Sequence, residues 1–448
     1  MRLLAYAAMV LAATALFLVI SQSGQSLVAP TAAPSPITGA ASAAQSDVFL
    51  HLLIALTAVI IAGRILGRLF TAIGQPPVIG EVVAGVLLGP SLLGAIAPEA
   101  YAFILPPSVA PYLGVVAQLG VVLYMFLVGL ELNPDLLRGQ VHTTVATSHA
   151  SIVLPFVMGS ALALYLYPRF ATSDVPFTSF ALFMGIAMSI TAFPVLARIL
   201  SDLGMSKTPL GVVALTCAAV DDVTAWCLLA LVVGVVQASA GSALLTILMT
   251  LAFIALMFAV VRPLIARLLR SRGEREVSRG VIAATIAAML VTALITEAIG
   301  VHAIFGAFLL GAVIPHDSRL AHALTGSLEN LVTVLLLPAF FAFAGMRTEI
   351  GLLVGAGPWI ACGLIILVAT VGKVAGTLVA ARLSGMDWRG AAGLGVPMNT
   401  RGLMQLIVLN VGLELGVISP ALFTMMVLMA LATTIATTPV LRVLRLHA

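Results

Sequence analysis

Two adjacent aspartates, Asp221 and Asp222, lie within TCAAVDDVTAWCLLALVVGVV, an apolar run long enough to cross a bilayer. One ionised group at membrane depth costs on the order of 3 kcal/mol on the more moderate scales, so a pair of carboxylates there points to a pathway for cations or protons. Two bases occupy similar settings, Lys373 in ILVATVGKVAGTLVAARL and Arg401 in VPMNTRGLMQL. Two acids and two bases balance, as a low-dielectric interior demands. Consecutive helical residues point about 100° apart, so the two aspartates can serve different partners, one an aqueous cavity and the other a base. The chemistry on offer is competition. Dehydration favours the protonated form of a carboxylate, whereas an alkali cation binds only the ionised form, so cation and proton exclude each other. Ser and Thr hydroxyls and freed backbone carbonyls supply the remaining oxygens that a hard cation prefers, and no His or Cys cluster points to a transition metal.

Such residues need elements that hold them at depth, and the composition provides them. At 61% hydrophobic and 8% charged residues over 448 positions, the chain lacks the charged surface of a soluble domain, which takes about a quarter of all residues. Its mean hydropathy of +1.19 agrees. A spanning helix needs roughly 20 apolar residues. Apolar runs bounded by charges, Pro or Gly predict thirteen helices, at about 48–69, 78–95, 110–132, 143–167, 176–200, 208–236, 242–268, 279–299, 301–315, 327–346, 357–383, 390–415 and 420–444. The expected class is an all-α polytopic membrane protein.

Residues 1–47 stand apart as an apolar stretch that opens with Arg2, followed by a Ser/Ala/Pro-rich linker without charge before Asp47. This is a signal peptide or an extra anchor; small-residue sites such as Ala41, Ser42 and Ala43 favour cleavage, and either reading puts residue 48 outside. With the first of the thirteen helices running inward, one face of the membrane collects Arg64, Arg68, Arg138, Arg198, Lys207, Arg262, Arg267, Arg270, Arg272, Arg275, Arg279, Arg319, Arg382, Arg389, Arg442 and Arg445, and the other only Arg169 and Arg347. The positive-inside rule makes the first face cytoplasmic and places the C-terminus there, in a cell (plasma or inner) membrane. The net charge of +4 then reflects topology and anionic lipid, not nucleic acid. The three cysteines, Cys217, Cys227 and Cys362, all fall in apolar segments and imply neither disulfide nor metal cluster.

The chain also repeats itself. MFLVGLELNPDLL at 125–137 ends the third helix and FAFAGMRTEIGLL at 341–353 ends the tenth, with Gly129 and Gly345 aligned. Seven helices separate the copies, and an odd offset inverts one relative to the other, so helices one to six should match eight to thirteen, with helix seven as connector. The fifth helix is interrupted by Ser189, Thr191 and Pro194, and the twelfth by Pro397, Asn399, Thr400 and Gly402. Both read as broken helices whose half-helix ends and freed carbonyls meet near the midplane. Glu81, Glu131 and Glu297 fall near helix ends and read as dipole-favoured or solvated carboxylates.

Six segments, GQPPVIGEVVAGVLLGPSLLG, FLVGLEL, SITAFPVLARIL, AAVDDVTAW, FGAFLLGAVIP and NTRGLMQLIVLNVGL, resemble in family order the second branch of the monovalent cation:proton antiporters, in particular the group shared by bacterial transporters and plant cation/proton exchangers. The resemblance spans about 48–444. It implies a homodimer whose dimer part is about 48–138 and 279–353, and a mobile core of about 139–236 and 354–445. It further implies that Asp222 is the essential cation and proton carboxylate and the place of the alkali cation, that Asp221 stands where electrogenic members carry Asp, and that Lys373 pairs with Asp221 in the empty site. Thr191 and Thr400 fall at the two breaks, as cation ligands. The family commonly has Glu where this chain has Gln405, so Arg401 must find a half-helix C-terminal end or another acid.

The expected function is exchange of Na+ or K+ for protons by alternating access, electrogenic, with no cofactor. Two alternatives remain: a gated cation channel, for which there is no selectivity-filter sequence such as TVGYG, and an organic-anion symporter on a similar fold. A Walker A sequence and a GxGxxG fingerprint are both absent from the sequence, which leaves ATP-driven pumping unsupported.

Overall fold

The computed structural model describes residues 2–27, 48–131, 141–173, 175–205, 208–237, 243–272 and 277–443. Every regular element among them is helical, as suits long continuous apolar runs, because in lipid a helix satisfies its backbone within each segment. In chain order these are α1 (Arg2–Gly24), α2 (Val48–Ala72), α3 (Pro77–Leu88), α4 (Leu93–Ile96), α5 (Pro98–Ile104), α6 (Ala110–Glu131), α7 (Val141–Phe170), α8 (Phe177–Ser189), α9 (Phe193–Asp202) and α10 (Pro209–Gln237). They continue with α11 (Ala243–Leu256), α12 (Arg262–Arg272), α13 (Arg279–Ile299), α14 (Ala303–Val313), α15 (Arg319–Leu331), α16 (Leu337–Met346), α17 (Ala356–Leu383), α18 (Trp388–Met398), α19 (Leu403–Glu414) and α20 (Pro420–Val443). Each of the thirteen expected runs contains helix among the described residues, and those at 78–95, 176–200 and 390–415 are interrupted. Nine helices among the described residues are long and apolar enough to cross a membrane, and five shorter apolar ones include α8, α14 and much of α19. Two runs carry a π-helical turn, Met257–Val261 between α11 and α12 and Val332–Leu336 between α15 and α16. Pro263 and Pro338 follow these turns, and a wider turn is one way to absorb a missing N–H.

The helices sort into two packed groups. In one, α14 lies along α6, α16 along α3 and α6, and α2 along α3. In the other, α17 and α8 both lie along α7, with α10, α18 and α20 closing around them. The segment α11–α12 touches α10 on one side and the α13–α14 pair on the other. Residues 2–24, expected as leader or anchor, form α1, which packs on α7 and α8; Ser21 Oγ lies 2.9 Å from Thr178 Oγ1, and the Phe17 and Phe156 rings are 5.8 Å apart. The linker at 28–47 lies outside the described residues.

The two aligned glycines sit at matching contacts. A Cβ on Gly129 of α6 would lie 2.3 Å from the Phe308 carbonyl oxygen of α14, and one on Gly345 of α16 would lie 2.0 Å from the Gly85 carbonyl carbon of α3. The third helix against the ninth thus repeats the tenth against the second, as exchange of the two inverted halves requires. The same Leu-Leu-Gly run, 87–89 and 309–311, lines both contacts: a Cβ on Gly89 would meet Gly345, and one on Gly311 would meet Phe126.

Candidate functional site

Both expected breaks are present, and they cross. α8 stops at Ser189, Ile190 is extended (φ −70°, ψ 134°), and α9 begins at Phe193. α18 stops at Met398, and α19 begins after Gly402. Proline explains where each break falls. Pro194 in the first turn of α9 has no N–H to carry the α8 ladder onward, and Pro397 removes a donor in the last turn of α18. The side chain of Pro194 lies outside the described residues. The strands of chain between half-helices bond directly, with Ala192 N–H donating to the Thr400 carbonyl at 2.9 Å.

Around this crossing the half-helix ends find partners. The C-terminal end of α8 carries the negative end of its dipole and bare carbonyls. Arg401, fully buried, donates from Nη1 to Ala187 O at 3.0 Å and from Nη2 to Met188 O at 2.6 Å. Lys373, also fully buried, donates to Ser189 O at 2.6 Å. The C-terminal end of α18 meets the Thr191 hydroxyl, 2.9 Å from Met398 O. Of the two partners open to Arg401, the half-helix end is the one it takes. Gln405 adds only a neutral bond, accepting from Arg401 Nη1 at 3.2 Å, and Arg401 Nε and Gln405 Nε2 have no hydrogen-bond partner among the described residues.

Asp221 is fully buried on α10, with three hydroxyls and one ammonium around its carboxylate. Oδ1 accepts from Ser148 Oγ at 2.5 Å; Oδ2 accepts from Lys373 Nζ at 2.7 Å, with Ser151 Oγ and Thr191 Oγ1 each 2.9 Å away and the Ser151 proton shared with Ser148 O at 2.7 Å. Lys373 and Asp221 thus form an ion pair with both side chains at 0% exposure. Removing two charges from water costs several kcal/mol per ion, which only such dense hydrogen bonding offsets. Thr191 links the pair to the crossing, its single proton serving either Asp221 or Met398. Asp222 follows on the same helix about 100° round, and its side chain lies outside the described residues.

The remaining expected residues lie on the crossing itself and not on Asp221. Ser189 Oγ back-bonds to Gly185 O at 2.7 Å and lies 2.9 Å from Ile152 O. The Thr400 hydroxyl points to Thr437 Oγ1 on α20 at 3.4 Å, so toward the crossing Thr400 contributes its carbonyl. Asn399 Nδ2 lies 3.4 Å from Thr370 Oγ1, and its buried Oδ1 has no partner among the described residues. Gly402 is extended (φ −178°) and opens the N-terminus of α19.

Three residues here escaped the sequence reading. Ser148 and Ser151 of α7 hold Asp221, and Thr434 of α20 holds the second break, accepting from the Arg401 N–H at 3.0 Å and donating to the Arg401 carbonyl. A signal existed in each case. Ser148 and Ser151 are spaced i, i+3 on one face of an apolar helix, and Thr433, Thr434, Thr437 and Thr438 line one side of α20, all buried. Hydroxyls in apolar helices ordinarily bond back to their own carbonyls, which hid these.

Residues 50–444 match the family model described as sodium/hydrogen exchanger, transmembrane. The chain is 45% identical over 393 residues to the Na+/H+ antiporter NhaS4 of Synechocystis, covering 87% of this chain and 96% of that one. It is 41% identical to cation/H+ antiporter 20 of Arabidopsis thaliana, covering 87% of this chain and 48% of that one. It is 35% identical to K+/H+ antiporter 1 of Saccharomyces cerevisiae, covering 83% and 44%. The chain therefore spans about half the length of the plant and yeast relatives. Its fold is similar to that of the sodium proton antiporter MjNhaP1 of Methanocaldococcus jannaschii, with a TM-score of 0.66 at 13% identity over 88% of this chain and 96% of that one.

Proposed function

The chain belongs to the sodium/hydrogen exchanger family, and on that footing we propose that it exchanges a monovalent cation, Na+ or K+, for protons across the cell membrane. The observation that carries this reading is the Asp221–Lys373 pair bonded into the crossing of two broken helices, beside a second aspartate on the same turn. Asp222 is the exchanging carboxylate. It binds the cation when ionised and releases it on protonation, with hydroxyls and break carbonyls as further oxygen ligands. Asp221 is held by Ser148, Ser151 and Thr191. Lys373 is its partner when the cation is absent and loses a proton when the cation arrives, so two protons leave for one cation and each cycle moves net charge.

The group formed by α2, α3, α6 and α13–α16 is the scaffold and carries the homodimer contact, and the group formed by α7–α10 and α17–α20 is the moving core. The crossing belongs wholly to the core, so the ion site can turn from one face to the other as a body, with the arginine-rich face and the C-terminus in the cytoplasm.

The test is cation flux into proteoliposomes of the purified protein across a panel of Na+, K+ and Li+. An imposed pH gradient should drive Na+ or K+ uphill. A cation flux that only ever runs down its own gradient identifies a channel and removes the proposal.

A further inference from the structure

Scaffold and core also meet at the membrane face opposite the arginine-rich loop, where Arg347 is one of the two arginines placed against the charge bias. Arg347 follows α16, with its guanidinium over the Phe343 ring at 4.0 Å. From there it reaches out of the scaffold to α19 of the core. Nη1 lies 3.1 Å from Asn410 Oδ1 and 3.1 Å from Glu414 Oε1, two residues one turn apart. Asn410 is itself anchored, donating to Leu406 O at 2.9 Å. A second scaffold helix joins in, since Gln118 of α6 donates to Glu414 Oε2 at 3.4 Å. The outer end of α19 is thus gripped by side chains from two scaffold helices.

These bonds differ from the ones that build each group. The Asp221–Lys373 pair is wholly inside the core and fully buried. The Arg347 and Glu414 side chains are 28% and 25% exposed and sit on the boundary between two bodies. If the core shifts relative to the scaffold, α19 moves past α16, and this contact cannot survive unchanged. Its charges are close enough to water to be rehydrated once parted, so opening is reversible. A partly exposed pair of this kind biases an equilibrium by roughly two- to fivefold, enough to favour one state and too little to lock it.

We infer that Arg347, Asn410 and Glu414 form a latch at the extracytoplasmic boundary that holds the core against the scaffold while that side is shut and parts whenever the ion site turns outward. The inference rests on the proposed movement of core against scaffold.

Leu406 is 2% exposed and lies one and two turns below Asn410 and Glu414 on the same face of α19, so it reports what the latch covers. The experiment places Leu406→Cys in a chain whose Cys217, Cys227 and Cys362 are replaced by alanine, and labels intact cells with an impermeant methanethiosulfonate reagent. Arg347→Glu or Glu414→Arg alone should speed labelling by about two- to fivefold, and the double swap Arg347→Glu with Glu414→Arg should return it to the parent rate. The neutral Glu414→Gln serves as the milder variant where a charge reversal lowers the amount of folded protein, and it should also speed labelling. Equal labelling in the parent and Glu414→Gln, or a double swap that labels as fast as the singles, overturns the latch. Cation-coupled proton flux of the unmutated protein is recorded separately. Its absence would defeat the exchange reading, whereas intact flux with unchanged labelling would defeat the latch alone.

Discussion

At the residue scale, the proposed exchange divides labour between two neighbouring carboxylates. Asp221 has Ser148, Ser151, Thr191 and Lys373 around it, which leaves little of its carboxylate for an incoming ion. The sequence already allowed the two aspartates different partners, because adjacent helical residues point about 100° apart, and for Asp221 that partner is Lys373. A fully buried pair is costly to break from one side. Asp221→Asn should lower stability by about 3–5 kcal/mol, because it strands the Lys373 ammonium, and adding Lys373→Met should recover much of that loss. Thermal unfolding of the purified protein in detergent checks this. Losses that simply add in the double variant would show that the two side chains do not depend on one another.

At the element scale, the account stands on breaks and close crossings. Both breaks were legible in the sequence because Pro194 and Pro397 sit among polar residues inside apolar runs, a pattern with few other physical readings. What the breaks bond to was not legible. The carbonyls that hold Arg401 and Lys373 carry no side-chain signature, and Thr434 reads as one threonine among several until the fold sets it against Arg401. The glycine contacts give the repeat a direct test. Gly129→Ala and Gly345→Ala each drive a methyl group into facing backbone and should each cost about 1–3 kcal/mol. Gly326→Ala on α15, where a Cβ meets nothing within 4 Å, should be neutral or stabilise by up to about 1 kcal/mol. Thermal midpoints of the three variants decide it. A harmless substitution at one aligned glycine and a severe one at the other would show that the two contacts are not equivalent.

At the scale of the whole molecule, charge placement and packing converge. The all-helical membrane class and the inverted repeat were legible because hydropathy and positive charge act on every helix at once, whereas which helix lies against which needed the contacts between them. Orientation is checked by sidedness. A cysteine introduced at 271–278 should be shielded from an impermeant thiol reagent added outside, and one at 237–242 should react; the reverse pattern would overturn the helix count and with it the repeat. The central claim, that Asp222 carries cation and proton in turn, is tested most directly by cation-coupled proton flux in proteoliposomes of the parent and Asp222→Asn side by side. Asparagine removes the charge at nearly constant shape, so the account predicts flux in the parent and none in a variant that still inserts and elutes as the parent does. Flux in Asp222→Asn above a few per cent of the parent would contradict it.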